Sequence, residues 1–199
     1  MRRDRQKDQD FKPTAEQLKA ELAREQYKSR YSSTLRSTIY LLIVIAAVAV
    51  LMATLFFPVF RIYGSSMSPT VNEGEIVVSL KGSTFKSGDV IVLSFNNKLL
   101  VKRVIAGPGQ WVDIDIDGNV FVDEVMLDEP YLTEKAYGDC TIEFPYQVPD
   151  ERYFVMGDNR RTSQDSRSSA VGCIAEEQII GRAILRVWPL DKFSTLNGI

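Results

Sequence analysis

Residues 37–60 carry no charged side chain and are almost wholly apolar from Ile39 to Phe60. As a helix rising about 1.5 Å per residue, such a run spans roughly 30 Å or more, enough for the hydrocarbon core of a bilayer. A helix packed into a small soluble core keeps a polar face, and this run has none. A cleavable signal peptide is the rival reading, because Ala47-Val48-Ala49 resembles a cleavage site. However, the apolar run continues well past Ala49, and the 36 residues before it are too many for a signal n-region. The expectation is an uncleaved single-pass anchor in the cell membrane. Lys19, Arg24, Lys28, Arg30 and Arg36 precede it, whereas Arg61 is the only base close behind it. The positive-inside rule then puts the N-terminus in the cytosol and the rest of the chain outside. Three parts follow: a partly helical cytosolic segment (1–36), a transmembrane helix (37–60) and an extracytoplasmic domain (61–199).

Residues 1–12 are densely charged and expected to be disordered. Thr14, with Gln17 three positions on, reads as a capping box opening a helix, and residues 15–36 are rich in good helix formers. Charge is unevenly distributed: net +4 over 1–36 and −6 over 61–199. The chain as a whole is only −2, so no nucleic-acid footprint stands out.

The outer part reads as mainly β. Glu75–Leu80, Asp89–Phe95, Leu99–Ile105, Arg152–Met156 and Ile179–Trp188 are β-branched or apolar runs between turn signals. Asp113, Asp115, Asp117, Gly118 and Glu124 satisfy the calcium-loop pattern of an EF-hand. Such a loop lies between helices, but here residues 111–116 and 120–122 alternate with period two. A hairpin turning at Asp117-Gly118-Asn119 is the expectation, with no metal site and no cofactor.

The chain has no histidine. Ser-His-Asp and Cys-His hydrolases are therefore excluded, as are histidine-bearing zinc sites. Ser66, in the polar stretch Gly64–Thr70 just beyond the apolar run, is a candidate nucleophile that needs another base. A lysine serves only when neutral, which requires burial against apolar neighbours. Lys102 meets that description in Leu99-Leu100-Val101-Lys102-Arg103-Val104-Ile105, where it and Arg103 point to opposite faces of a strand. Taken alone, the pattern also describes an edge strand with two solvent-facing charges. Residues 157–167 form a third polar stretch, which by itself also reads as a surface loop.

Together these stretches resemble the type I signal peptidases, membrane serine proteases with a Ser-Lys pair. The likeness rests on Ser66-Met67-Ser68-Pro69-Thr70, Gly88-Asp89-Val90, Lys102-Arg103-Val104-Ile105 with Pro108-Gly109, Gly157-Asp158-Asn159-Arg160 and Ser163-Gln164-Asp165-Ser166-Arg167. The resemblance implies Ser66 as nucleophile, Lys102 as general base and Ser163 as the hydroxyl orienting that base. It implies Asp165 with Arg167 and Asp158 with Arg103 as supporting pairs, and Met67 beside the substrate pocket. The Ser66 backbone N–H is the implied oxyanion donor. Some members add a hydroxyl two residues earlier, but here that residue is Gly64, so main-chain donors or water are expected. Gln110 also departs from the family, which often has an acid after Pro-Gly. The implied substrates are exported preproteins, bound as an extended strand and cut after small-x-small motifs. Two rivals remain: a self-cleaving Ser-Lys repressor, opposed by the apolar run, and a non-enzymatic anchored β domain, which leaves the motifs coincidental. Oligomeric state is open.

Cys140 follows a Gly-Asp turn and Cys173 follows the third stretch. Outside the cytosol a disulfide between them is allowed and is the expectation; two free thiols are the alternative.

Overall fold

The computed structural model describes residues 14–82 and 84–196. The charged residues 1–12, expected to be disordered, lie outside them. The chain divides between Met52 and Ala53 into two compact units. One helix, α1, runs from Ala15 to Phe56. Its start is capped as expected, with the Thr14 N–H donating to Gln17 Oε1 at 3.0 Å. Its end differs from the expected residue 60. Pro58 disfavours helical geometry at the residue before it, so the helix stops at Phe56 and the last apolar residues turn into a strand. Within α1 the uncharged stretch from Ser37 to Phe56 is about 30 Å long, and α1 is long and apolar enough to cross a membrane.

The second unit is built of short strands. These are β1 (Val59–Arg61), β2 (Ile76–Leu80), β3 (Val90–Phe95), β4 (Lys98–Ala106), β5 (Trp111–Ile114), β6 (Val120–Val122), β7 (Val125–Met126), β8 (Tyr146–Gln147), β9 (Arg152–Met156), β10 (Ile174–Ala175), β11 (Ile179–Trp188) and β12 (Ser194–Thr195). The larger sheet has the order β1-β2-β11-β3-β4-β9-β10, with β12 pairing β11, and the smaller has the order β7-β6-β5-β8. The mainly β expectation is met.

Burial follows sequence pattern. In β5, Val112 and Ile114 face the core while Trp111 and Asp113 face out. In β3, Val90, Ile91, Val92 and Leu93 are all fully buried, so this strand is covered on both faces and reads as an unbroken apolar run. Each such side chain contributes about 1.5–3 kcal/mol of burial, which fixes β3 as an interior strand. Its neighbour β4 is thereby interior too, between β3 and β9. The Asp113–Glu124 stretch is the expected hairpin, pairing Val112 with Val122 and Ile114 with Val120. Asp115 Oδ1 closes its turn by accepting from the backbone of Asp117 and Asn119.

The expected disulfide is not formed; both cysteines are free. Cys140 Sγ donates to the Ile142 carbonyl. Cys173 is committed to the core cluster around Phe154 and Val112, and burial pushes its thiol up to about 11, which suppresses the reactive thiolate. The wild-type protein is expected to run at the same position on gels with and without reductant, as is Cys140→Ala.

Candidate active site

The turn that carries Ser66 leaves β1 through Ile62 and is pinned by Met67 and Val71, 1% and 0% exposed. Both belong to the core cluster that includes Val77 and Val90. Met67 is therefore a core anchor for the turn that carries Ser66. Ser66 itself is half-buried. Among the described residues neither its hydroxyl nor its backbone N–H has a hydrogen-bond partner, while its carbonyl accepts from the Asn159 N–H at 3.0 Å.

Lys102 and Arg103 are each only 3% exposed. The reading of two solvent-facing charges fails because both side chains are enclosed, although pairing with β9 begins only at Arg103. Lys102 Nζ donates to Ser163 Oγ at 2.8 Å. Burial pushes the amine below the ordinary lysine range; Asp165 pulls it back up, Arg167 pushes it down, and Asp158 pulls it up again. Ser66 and Lys102 line one cavity of about 520 Å³, together with Phe95, Leu100, Gln164 and Val171 among others.

The third polar stretch is buried rather than superficial. Arg167 donates from Nε and Nη2 to the two oxygens of Asp165, at 2.8 and 2.9 Å. Its remaining donors reach the carbonyls of Tyr137 and Arg160. Burial alone pushes the Asp165 carboxyl up, but the hydrogen bonds and charge of Arg167 and the Gly157 N–H outweigh it and hold it below the usual carboxylate range. On the opposite side Arg103 grips Asp158 with two bonds, 2.9 and 2.7 Å, and reaches the Gly88 carbonyl at 2.7 Å. Thr70, at the end of the nucleophile motif, donates to Asp158 as well. A Cβ on Gly157 would strike Ser163 Oγ and lie 2.5 Å from the Ser66 carbonyl oxygen, so only glycine allows the loop to seat against the serine turn. Lys102, Ser163, Asp165 and Arg167 thus meet on one side, and Arg103 and Asp158 on the other. Glu129 and Tyr131, which hold Arg160 and Arg103, were not among the sequence-predicted residues. Glu129-Pro130-Tyr131 has the local pattern of a solvated turn and carries no signal of burial.

The signal peptidase, peptidase S26, family model matches residues 35–188. The chain belongs to this family. It is a serine peptidase of the signal peptidase I type. Over 156 residues it is 37% identical to signal peptidase I of Bacillus amyloliquefaciens, spanning 73% of this chain and 83% of that one. Over 163 residues it is 36% identical to signal peptidase I S of Bacillus subtilis strain 168, spanning 75% and 87%. It is similar to signal peptidase IB of Staphylococcus aureus strain COL, 37% identical over 155 residues, 67% of this chain and 79% of that one. The crystal structure of a signal peptidase I from Enterococcus faecalis V583 aligns at TM-score 0.43 and 27% identity over 50% of this chain and 96% of that one. The matched residues include the stretches from Ser66 to Arg167.

Proposed function

We propose that this chain is a membrane-anchored signal peptidase that cuts signal peptides from exported preproteins, with Ser66 as nucleophile and Lys102 as general base. The observation that carries the reading is the Lys102 amine, 3% exposed, held by Ser163, and lining the same cavity as Ser66. Burial disfavours the charged form of the amine, and a lysine acts as a base from its neutral form.

The steps follow from these groups. Lys102 Nζ takes the Ser66 hydroxyl proton as Ser66 Oγ attacks the scissile carbonyl. The Ser66 N–H, without a partner among the described residues, is free to donate to the oxyanion, and Gly64 supplies no side-chain hydroxyl, leaving main-chain donation. The protonated Lys102 gives its proton to the leaving amine and the C–N bond breaks. Lys102 then takes a proton from water, the hydroxide attacks the acyl ester, and the returning proton restores Ser66.

Substrate binding as an added strand is supported by the pairing of β4. Lys98 to Lys102 pair with β3 on one side, and among the described residues nothing pairs them on the other. An extended peptide laid there presents alternate side chains to the same wall. Phe95, Leu100 and Val171 give the cavity apolar walls, which suit the small apolar side chains of a small-x-small motif. The anchor, with its N-terminus in the cytosol by the positive-inside rule, would hold the site where a signal segment leaves the bilayer.

The test uses full-length protein in lipid vesicles with a test preprotein. A single cut after a small-x-small motif is expected, read by N-terminal sequencing of the product. A lactam inhibitor suited to lysine-dependent serine hydrolases should label Ser66, mapped by mass spectrometry. Labelling of another serine, or no cleavage, would defeat the reading.

A further inference from the structure

Glu129 and Tyr131 lie outside every motif and outside the cavity that holds Ser66 and Lys102. Glu129 is nevertheless 5% exposed and its carboxylate is fully enclosed. It accepts from both terminal nitrogens of Arg160 and from the Tyr131 hydroxyl at 2.8 Å. The Tyr131 ring lies under the Arg103 guanidinium, 3.7 Å from ring centre to carbon.

Those two arginines both hold the opening of one loop, residues 157–160. Arg103 fixes Asp158. Arg160 Nε donates to the Gly157 carbonyl at 3.2 Å, and the Arg160 carbonyl accepts from Arg167 Nη2 at 2.9 Å. From this held segment the same loop delivers the Asn159 N–H to the Ser66 carbonyl and, just past Arg160, the Ser163 hydroxyl to Lys102. We propose that Glu129 and Tyr131 are positioning residues for the Ser66–Lys102 chemistry, clamping loop 157–163 through Arg160 and Arg103 so that serine and amine stay in register. The inference rests on the function proposed above.

Stability alone is a poor account of this cluster. Three ion pairs, Arg103–Asp158, Arg160–Glu129 and Arg167–Asp165, all have side chains under 5% exposed, and all converge on one loop. Buried pairs are often no more stabilising than apolar residues of the same volume, because desolvation opposes the attraction. What they do supply is direction, since paired guanidinium–carboxylate bonds tolerate little rotation. Reacting groups need that constraint: a displacement of about 1 Å lowers rate about 100-fold.

The experiment compares wild type, Glu129→Gln and Tyr131→Phe in the vesicle assay, with kcat and KM measured from neutral to alkaline pH and a thermal melt for each. Glu129→Gln keeps size and removes charge; Tyr131→Phe keeps the ring over Arg103 and removes one hydroxyl. Glu129→Gln is expected to lower kcat by about 10- to 100-fold. KM should stay within about twofold, because neither residue lines the cavity. The acidic limb of kcat/KM should also move to lower pH. That limb follows loss of the Lys102 proton, and Lys102 is faced by Asp165, Arg167 and Asp158. Removing the Glu129 carboxylate leaves Arg160 unpaired and adds to the positive side of that balance. Tyr131→Phe should move both readings the same way, by less.

A structural role without positioning gives a lower melting temperature with kcat and the pH limb unchanged, and that result overturns the inference. If Glu129→Gln does not fold, Tyr131→Phe decides on the same two readings. Ser66→Ala in the same assay separates the two claims. If it is inactive while both variants match wild type, the inference alone falls. If Ser66→Ala cleaves like wild type, the proposed function falls and the inference with it.

Discussion

Lys102→Met is expected to lose cleavage of the test preprotein by about 10⁴-fold, the upper range for removal of a general base, while melting at a higher temperature than wild type at neutral pH. The two halves have one cause. The chain has no histidine, so nothing stands in for the amine as proton acceptor. The same amine is a liability in the folded state. Burial holds it below the ordinary lysine range, so between the folded and unfolded values the unfolded chain binds more protons. Stability of wild type therefore rises with pH across that window. Methionine has similar volume and no proton to lose. Its advantage is largest below the folded value and fades as pH approaches the ordinary lysine range near 10.5. Removing the cost of desolvating the amine is worth on the order of 1 kcal/mol or more, from which the lost Ser163 hydrogen bond subtracts. About 1 kcal/mol is about 2–4 °C in a domain of this size. Melts of wild type and variant across pH check it. A variant that keeps activity, or whose advantage grows with pH, contradicts the neutral-lysine account.

Asp165→Ala is expected to destabilise the protein by about 3–5 kcal/mol, because it leaves the Arg167 guanidinium buried without its partner. Both side chains are fully enclosed, and the Gly157 N–H loses its acceptor as well. At about 2–4 °C per kcal/mol the melting temperature falls on the order of 10 °C. The pH signature separates this from a generic core defect. The folded Asp165 carboxyl lies below its usual value, so its contribution is present above the ordinary carboxylate pKa near 3.8 and is lost as pH falls through the folded value. The gap between wild type and variant therefore narrows on acidification. Asp165→Leu combined with Arg167→Met should recover much of the stability but not the activity, because the loop that carries Ser163 loses its directional hold. Denaturant melts of the single and double variants measure the coupling.

Patterns that are local in the chain were legible. The apolar run, the capped helix start at Thr14, the alternation in β5 and β6 and the Asp-Gly-Asn turn each depend on residues within a few positions of one another, so periodicity and turn chemistry suffice. The chemistry was legible only as candidates. A lone histidine-free Ser66 and an apolar strand broken by Lys102 state what is needed, and the spacing of the family motifs carried the rest. The stop of α1 at Phe56 was also within reach, since Pro58 stands in the run, but overall hydrophobicity hid it.

The remaining features were decided by strands and loops far apart in sequence. Lys102 is buried because β3 covers one edge of β4 and the loop after β9 closes over its side chain through Ser163, 61 positions away. Glu129 and Tyr131 look like a solvated turn until Arg160 and Arg103 are brought to them from 31 and 28 positions away. Cys140 and Cys173 remain thiols because one is held at a turn carbonyl and the other is spent in the core. A sequence displays which groups carry charge and which are greasy at a given spacing. Whether a charge is hydrated or enclosed, and which counter-charge meets it, depends on who its neighbours are in space, and desolvation together with directional pairing makes that the quantity on which this site turns.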